Sequence, residues 1–332
     1  MTESPIQRIA GIDLGSNSLK LAIAAARADL PPKTTIKHRI PLRLATDAFD
    51  HGRLMGGTID RLIDACRKFS EILERIHIEA CRTVATEAFR RVENAGEVID
   101  RIREASGLAV EVLTPEAEIR LVLNAIRTHL ADARDPDLLV DLGGGSLEIC
   151  APAGEGETDL RLESHALGLA AQFETFLESR PQDRDTRQEL CLKASEMARE
   201  LTSDLLDSVT PETVVLSGGQ AAMLDGLAFE WNLWDYDDST LNGVSLEDFK
   251  ALCERAVREE TLTLISFGIP PDRASMLAGA AAFYHTLAVR SGATRILIPR
   301  VGLMDGLLQT VLGQGQLWPP ATKAEVDFSA PS

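Results

Sequence analysis

The sequence predicts an α/β fold built as two related domains. Three observations lead there. Apolar strand-like runs alternate with helix-period segments along the chain, the pattern of sheets covered by helices. The nine residues from Asp13 to Leu21 recur from Asp141 to Ile149, 128 residues later, with five of the nine positions identical. The chain's 332 residues suit roughly two domains of about 150 residues each.

The elements follow in order. Residues 8–26 read as strand, turn, strand: an apolar run to Ile12, the polar turn Gly15-Ser16-Asn17-Ser18, then Leu19, Leu21 and Ile23 alternating. The spacing predicts a helix over 58–78, because Ile59, Leu62, Ile63, Cys66, Phe69, Ile72, Leu73 and Ile76 share one face. A short strand at 82–86 leads to a helix from Ala95 to near Gly107, then a strand at Val110–Leu113. Thr114 suits an N-cap and Pro115 the first helical position of a helix to about Leu130. A second strand, turn and strand occupy 138–150, and one long polar helix fits 183–207. Val214–Leu216 is a buried strand running into Ser217-Gly218-Gly219. Helices at 246–257 and 274–290, a strand at Arg295–Ile298 and a helix near 303–312 close the chain. The expected domains are 1–128 and 129–315. Residues 316–332, rich in Pro, Ala and Ser from Pro319 onward, read as a flexible tail.

Composition excludes several classes. Hydrophobic residues make up 45% and charged residues 26%, which rules out a disordered chain, a collagen and a disulfide scaffold. The net charge of −17 argues against broad adhesion to nucleic acid or anionic membrane. The charge is uneven. The first 150 residues hold 20 Lys and Arg against 23 Asp and Glu, and the remainder 14 against 28. The five cysteines are odd in number and form no C-x-x-C pair, so buried, reduced thiols of a cytoplasmic protein are expected. The start carries neither a basic nor an apolar leader segment, and no run reaches the roughly 18 apolar residues of a membrane span.

The repeated loops carry the chemistry. Small residues let the backbone approach a ligand, and consecutive amides can point into one concavity that binds an anion. The amides of Ser16, Asn17, Ser18, Gly143, Gly144, Gly145 and Ser146 are the candidates, with hydroxyls from Ser18 and Ser146. Asp13, Asp141 and Glu148 would repel a bare phosphate, so a divalent cation belongs between them and the ligand, Mg²⁺ by default. Lys33, Lys37, His38, Arg39 and Arg43 form a basic stretch, read as a solvated charged strand in preference to a guide for a polyanion. The six histidines show no metal-ligand spacing.

With these loops in view, the chain resembles the actin–Hsp70–sugar-kinase superfamily, and within it the exopolyphosphatase / guanosine pentaphosphate phosphohydrolase family. The matching segments come in family order. They are Gly11-Ile-Asp-Leu-Gly-Ser-Asn-Ser18, Ala85-Thr86-Glu-Ala-Phe-Arg90 with Asn94, Glu118-Ile-Arg120-Leu121 and Asp141-Leu-Gly-Gly-Gly-Ser-Leu-Glu148. Gly268-Ile-Pro-Pro-Asp-Arg-Ala274, Ala278-Gly279-Ala280 and Gly302-Leu-Met-Asp-Gly306-Leu307 close the set. The resemblance implies two ribonuclease-H-like (actin-like ATPase) domains flanking a central cleft. It implies Glu118 as the base that deprotonates an attacking water, Asp141, Glu148 and Asp13 at the metal, and Arg90, Gly218 and Gly219 beside phosphate. It implies hydrolysis of terminal phosphate from inorganic polyphosphate, with guanosine pentaphosphate as a second substrate, and a homodimer.

The departures from the family pattern bear on substrate preference. Thr114-Pro115-Glu116-Ala117 stand where Ser-Gly and paired acids are usual, Gln220 where Thr is usual, and Ala171 where Arg is common. The chain is also a short form, lacking the helical domains of longer members. Two other readings stand beside the hydrolase: a catalytically weak polyphosphate or nucleotide sensor, and a phosphotransferase of the same superfamily.

Overall fold

The computed structural model describes residues 6–27, 30–128, 136–153, 160–167, 183–201, 203–233, 243–314 and 316–317, with 173, 176, 177 and 180. The expected tail from 318, and the position of Ala171, lie outside the described residues. Two compact units form, residues 1–125 with 303–332, and residues 126–302.

In the first unit, β1 (Gln7–Leu14), β2 (Ser18–Arg27) and β3 (Leu30–Pro41) make an antiparallel meander. β4 (Ala80–Ala85) joins β1 in parallel, and β5 (Val110–Val112) joins β4 in parallel. α1 (Leu44–His51), α2 (Gly56–Ile76), α3 (Glu87–Arg91), α4 (Ala95–Ser106) and α5 (Pro115–Arg127) are interleaved with them. The apolar face predicted for 58–78 is buried as expected, with Leu62, Cys66, Phe69 and Leu73 against Leu21, Ile23 and Ile102 in one core.

The second unit repeats this plan. β6 (Leu138–Leu142), β7 (Leu147–Pro152) and β8 (Leu160–His165) form a meander, and β9 (Thr213–Ser217) joins β6 in parallel. β10 (Val244–Ser245) and β11 (Arg295–Leu297) extend the sheet, β11 parallel to β9. The first four strands of each unit therefore follow one order, third–second–first–fourth, as β3-β2-β1-β4 and β8-β7-β6-β9, and a further parallel strand, β5 or β11, pairs with the fourth. The duplication seen over nine residues extends to whole sheets. Helices α6 (Arg184–Glu200), α7 (Asp204–Ser208), α8 (Gly219–Glu230), α9 (Leu246–Arg258), α10 (Thr261–Ser266) and α11 (Pro271–Ser291) belong to this unit.

Three expectations are corrected. The helix predicted over 183–207 breaks at Leu201, and Ser203 starts α7 by accepting from the Leu206 amide at 3.0 Å. A serine followed by a fresh apolar pair favours such a cap over helix interior. The final helix α12 (Leu303–Gln314) belongs to the first unit, not the second. It packs Leu308 and Val311 on Ile9, Ala22, Ala24 and Ala26, a face that β1 and β2 would otherwise expose. Gln316–Leu317, expected in the tail, form the short strand β12 on β4.

Candidate active site

The two loops share one backbone turn. The Gly15 amide donates to the Ser18 carbonyl at 3.2 Å, and the Gly143 amide to the Ser146 carbonyl at 2.9 Å. Asp13 opposes Lys20 across β1–β2, and Asp141 opposes Glu148 across β6–β7, in matching register.

In the first loop the carbonyls are engaged. The Ser16 carbonyl accepts from the Ala45 amide at 2.8 Å, and the Asn17 carbonyl from the amides of Leu42 and Arg43 at 3.1 and 3.0 Å. The turn supplying those amides holds Arg43 in the left-handed region, with φ of 55°. No backbone hydrogen bond among the described residues uses the amides of Ser16, Asn17, Gly144 or Gly145. Those four amides are thus the donors that the turn leaves for a ligand. Asp13 is buried; its Oδ2 accepts from Lys20 Nζ at 2.9 Å, and its Oδ1 has no hydrogen-bond partner among the described residues. Ser18 is buried too, and its hydroxyl accepts from Arg39 Nε at 3.1 Å, a contact that spacing in the sequence does not signal.

Glu118 sits in the first turn of α5. Thr114 caps that helix as expected, its hydroxyl accepting from the Ala117 amide at 3.1 Å. Glu118 is 8% exposed, whereas Glu116 on the same turn is exposed and pairs with Arg120. Arg90 Nη1 donates to Glu118 Oε2 at 2.9 Å and to the Leu113 carbonyl at 2.9 Å, while Nε donates to Glu87 Oε2 at 3.0 Å. Burial disfavours the charge on this guanidinium, but Glu118 and Glu87 hold its pKa above the ordinary arginine value. Arg90 therefore positions Glu118, a role the sequence did not assign to it. Asn94, from the same matching segment, bonds both ways to the Leu54 backbone at 3.0 Å and is a structural tie.

In the second unit, Glu148 is 1% and Asp141 8% exposed, and Ser164 Oγ donates to Glu148 Oε1 at 3.2 Å. Opposed antiparallel residues point to the same face, so the two carboxylates form one hard-oxygen pair. That pair fits Mg²⁺, which uses one or two carboxylates and completes its shell with water and substrate oxygens. Among the described residues no group of three or more His, Cys, Asp or Glu could hold a metal by itself. Gly218 lies against this turn: with φ of 108°, a Cβ there would stand 2.3 Å from the Leu142 carbonyl oxygen. Gly219 lies under Arg273, whose Nη1 donates to its carbonyl at 3.1 Å. Tyr284, unremarked in the sequence, donates its hydroxyl to the Ser217 carbonyl at 3.0 Å; burial and the Asp141 charge push its phenol well above its usual range.

The five cysteines are buried and free of disulfides. Burial pushes the Cys66 and Cys81 thiols up to about 12 and Cys191 to about 11, so none of these is a ready nucleophile. No helix among the described residues is long and apolar enough to cross a membrane.

Solved structures share this fold. The Aquifex aeolicus member of the Ppx/GppA protein family matches at 24% identity and TM-score 0.69, over 93% of this chain and 98% of that one. An exopolyphosphatase from Cytophaga hutchinsonii matches at 22% identity and TM-score 0.76, over 92% and 98%. A nucleoside triphosphate hydrolase from Neospora caninum matches at 11% identity and TM-score 0.51, over 93% of each chain. At these identities the likeness speaks for the fold, an α/β actin-like ATPase type. The profile of the Ppx/GppA phosphatase family matches residues 22–314, which takes in Arg90, Glu118 and the second loop, and the chain belongs to that family.

Proposed function

We propose that this chain is a Mg²⁺-dependent hydrolase that removes terminal phosphate from inorganic polyphosphate, with guanosine pentaphosphate as a second substrate. The observation that carries the reading is the duplicated turn with opposite charge beside it: Lys20 faces Asp13 in one copy, and Glu148 faces Asp141 in the other. One loop meets phosphoryl oxygens with amides and a neutralised acid. The other offers a carboxylate pair suited to a cation. A bound divalent cation would supply charge neutralisation to the phosphoryl oxygens. Asp13, with its buried Oδ1, offers an acceptor beside the first loop.

Glu118, held by Arg90, takes the proton of the attacking water. The water oxygen bonds to phosphorus as the bridging P–O bond breaks, and the shortened chain leaves as the anion. Such chemistry needs positioning and charge neutralisation more than covalent help. A cytoplasmic homodimer acting on these small anions, without nucleic acid or membrane, belongs to the same proposal.

Phosphate release from polyphosphate tests it. Glu118→Ala and Glu148→Ala should each lower the rate by about 100-fold or more. Unchanged rates in both variants would sink the proposal. A panel adding guanosine pentaphosphate and ATP with acceptor sugars separates hydrolysis from phosphate transfer, and tight binding without turnover would indicate a sensor.

A further inference from the structure

The register across the two sheets carries the duplication one strand beyond the loops. In the first unit, Asp13 of β1 stands beside Lys20 of β2, and Lys20 beside Arg39 of β3. In the second, Asp141 of β6 stands beside Glu148 of β7, and Glu148 beside Ser164 of β8. Register partners project from the same face of a sheet. Leu147 and Ile149 turn to the core of the second unit, so Asp141, Glu148 and Ser164 form one row on the opposite face.

The third residue of each row gives a hydrogen bond back to its own loop hairpin. Arg39 Nε donates to the Ser18 hydroxyl at 3.1 Å, and the Ser164 hydroxyl donates to Glu148 Oε1 at 3.2 Å. Glu148 is 1% exposed, so little water competes for that bond. The strand that presents Ser164 is itself pinned from its other face. Glu163 Oε2 accepts from the Ser203 hydroxyl at 2.5 Å and Oε1 from the Leu205 amide at 2.7 Å. Arg161 Nη2 donates to the Ser208 hydroxyl at 2.8 Å. These bonds tie β8 to the start and end of α7 and hold the Ser164 backbone in place.

We propose that Ser164 is a positioning residue for Glu148: its hydroxyl orients the carboxylate beside Asp141, so that the pair is preorganised for a divalent cation. The inference rests on the metal-dependent reading above and deepens it by naming a residue on which the metal affinity of that pair depends. Adjacent carboxylates repel, and a glutamate has three side-chain torsions along which to turn away. One hydrogen bond from a pinned strand selects among those orientations before a cation arrives. The competing account is that Ser164 is only a polar residue keeping an edge strand hydrated. On that account alanine would serve the metal as well as serine does.

Binding of Mn²⁺ decides between them. The ion is titrated into the protein without substrate and its free form followed by electron paramagnetic resonance, with Mg²⁺ as competitor and thermal melts alongside. Ser164→Ala should weaken Mn²⁺ binding by about 10-fold, the lower end of the loss when a partner of a metal ligand is removed. Its melting temperature should stay within about 2 °C of wild type, because Ser164 is exposed. Ser164→Thr keeps the hydroxyl and should restore the affinity. Ser164→Val has the shape of threonine without the hydroxyl and should not. Ser208→Ala cuts a tie of the same strand to α7 and should leave Mn²⁺ affinity unmoved. Wild-type affinity in both Ser164→Ala and Ser164→Val overturns the proposal, as does equal weakening in Ser208→Ala. Failure of the wild-type chain to bind Mn²⁺ would instead remove the metal-dependent reading, and this inference with it. Ser164-dependent binding in a chain that releases no phosphate would leave the positioning role standing and remove the hydrolase reading.

Discussion

Arg90 stands between two carboxylates and a carbonyl, all within 3.0 Å of its guanidinium. The side chains of Arg90, Glu87 and Glu118 are 16%, 12% and 10% exposed, so little water screens them. Removing the cation strands two nearly buried acids, a change that costs about 3 kcal/mol or more when one partner of a buried pair is lost. It also frees Glu118 to rotate, and a displacement near 1 Å at a reacting group can cost about 100-fold in rate. Arg90→Ala is therefore expected to lower kcat by about 100-fold. Arg90→Lys, which keeps the charge without the planar fork, should recover stability more than kcat. Thermal melts beside kcat and KM separate these effects. A kcat that follows stability alone in both variants would reduce Arg90 to a fold residue. The sequence placed Glu118 and Arg90 at the site only through their family segments. Their contact spans 28 positions, from α3 to α5 with α4 and β5 between, and no local spacing encodes it.

At the scale of elements, legibility followed local pattern. The strand, turn and strand pairs, the amphipathic α2 and the Thr114-Pro115 start of α5 were readable, because each is fixed by neighbours within a few residues. β3 was read as a solvated charged strand but without a partner, since its run of Lys, Thr and His breaks apolar alternation; its place is set by pairing with β2. Helix α12 looked like part of the second domain because it follows it in sequence, yet its partners lie in β1, β2 and α5. Gly306 makes that return possible. A Cβ there would stand 1.8 Å from the Leu121 carbonyl oxygen, a backbone atom that cannot swing aside. Gly306→Ala should destabilise by about 3 kcal/mol, at the upper end of overpacking costs. Gly96→Ala on α4 meets nothing within 4 Å and should stabilise slightly, by about 0.5 kcal/mol. Chemical denaturation of the two variants checks the contrast. Equal effects would mean that α12 is not held against α5 as described.

Over the whole molecule, the same strand order in both units shows that the nine-residue repeat marks a duplicated sheet. Equivalent positions then became free to diverge in charge. The first copy kept a lysine opposite its aspartate, and the second placed a glutamate there. Net charge follows the same division, with 14 Lys and Arg against 28 Asp and Glu after residue 150. A phosphate chain meeting Asp141 and Glu148 would face repulsion that amide dipoles offset only in part, which is why the proposed function gives the second loop a cation of its own. Removal of divalent metal with EDTA should then lower phosphate release by about 100-fold, with recovery on adding Mg²⁺. Glu148→Gln keeps the shape and removes one charge from the pair, so it should raise the Mg²⁺ concentration for half-maximal rate by about 10-fold or more. Glu196→Gln removes the same charge from an exposed position on α6, and should leave that concentration unmoved. A general charge effect would shift both variants alike, whereas a metal held by the opposed carboxylates shifts only the first. Full activity in EDTA would show instead that the substrate is neutralised without a metal.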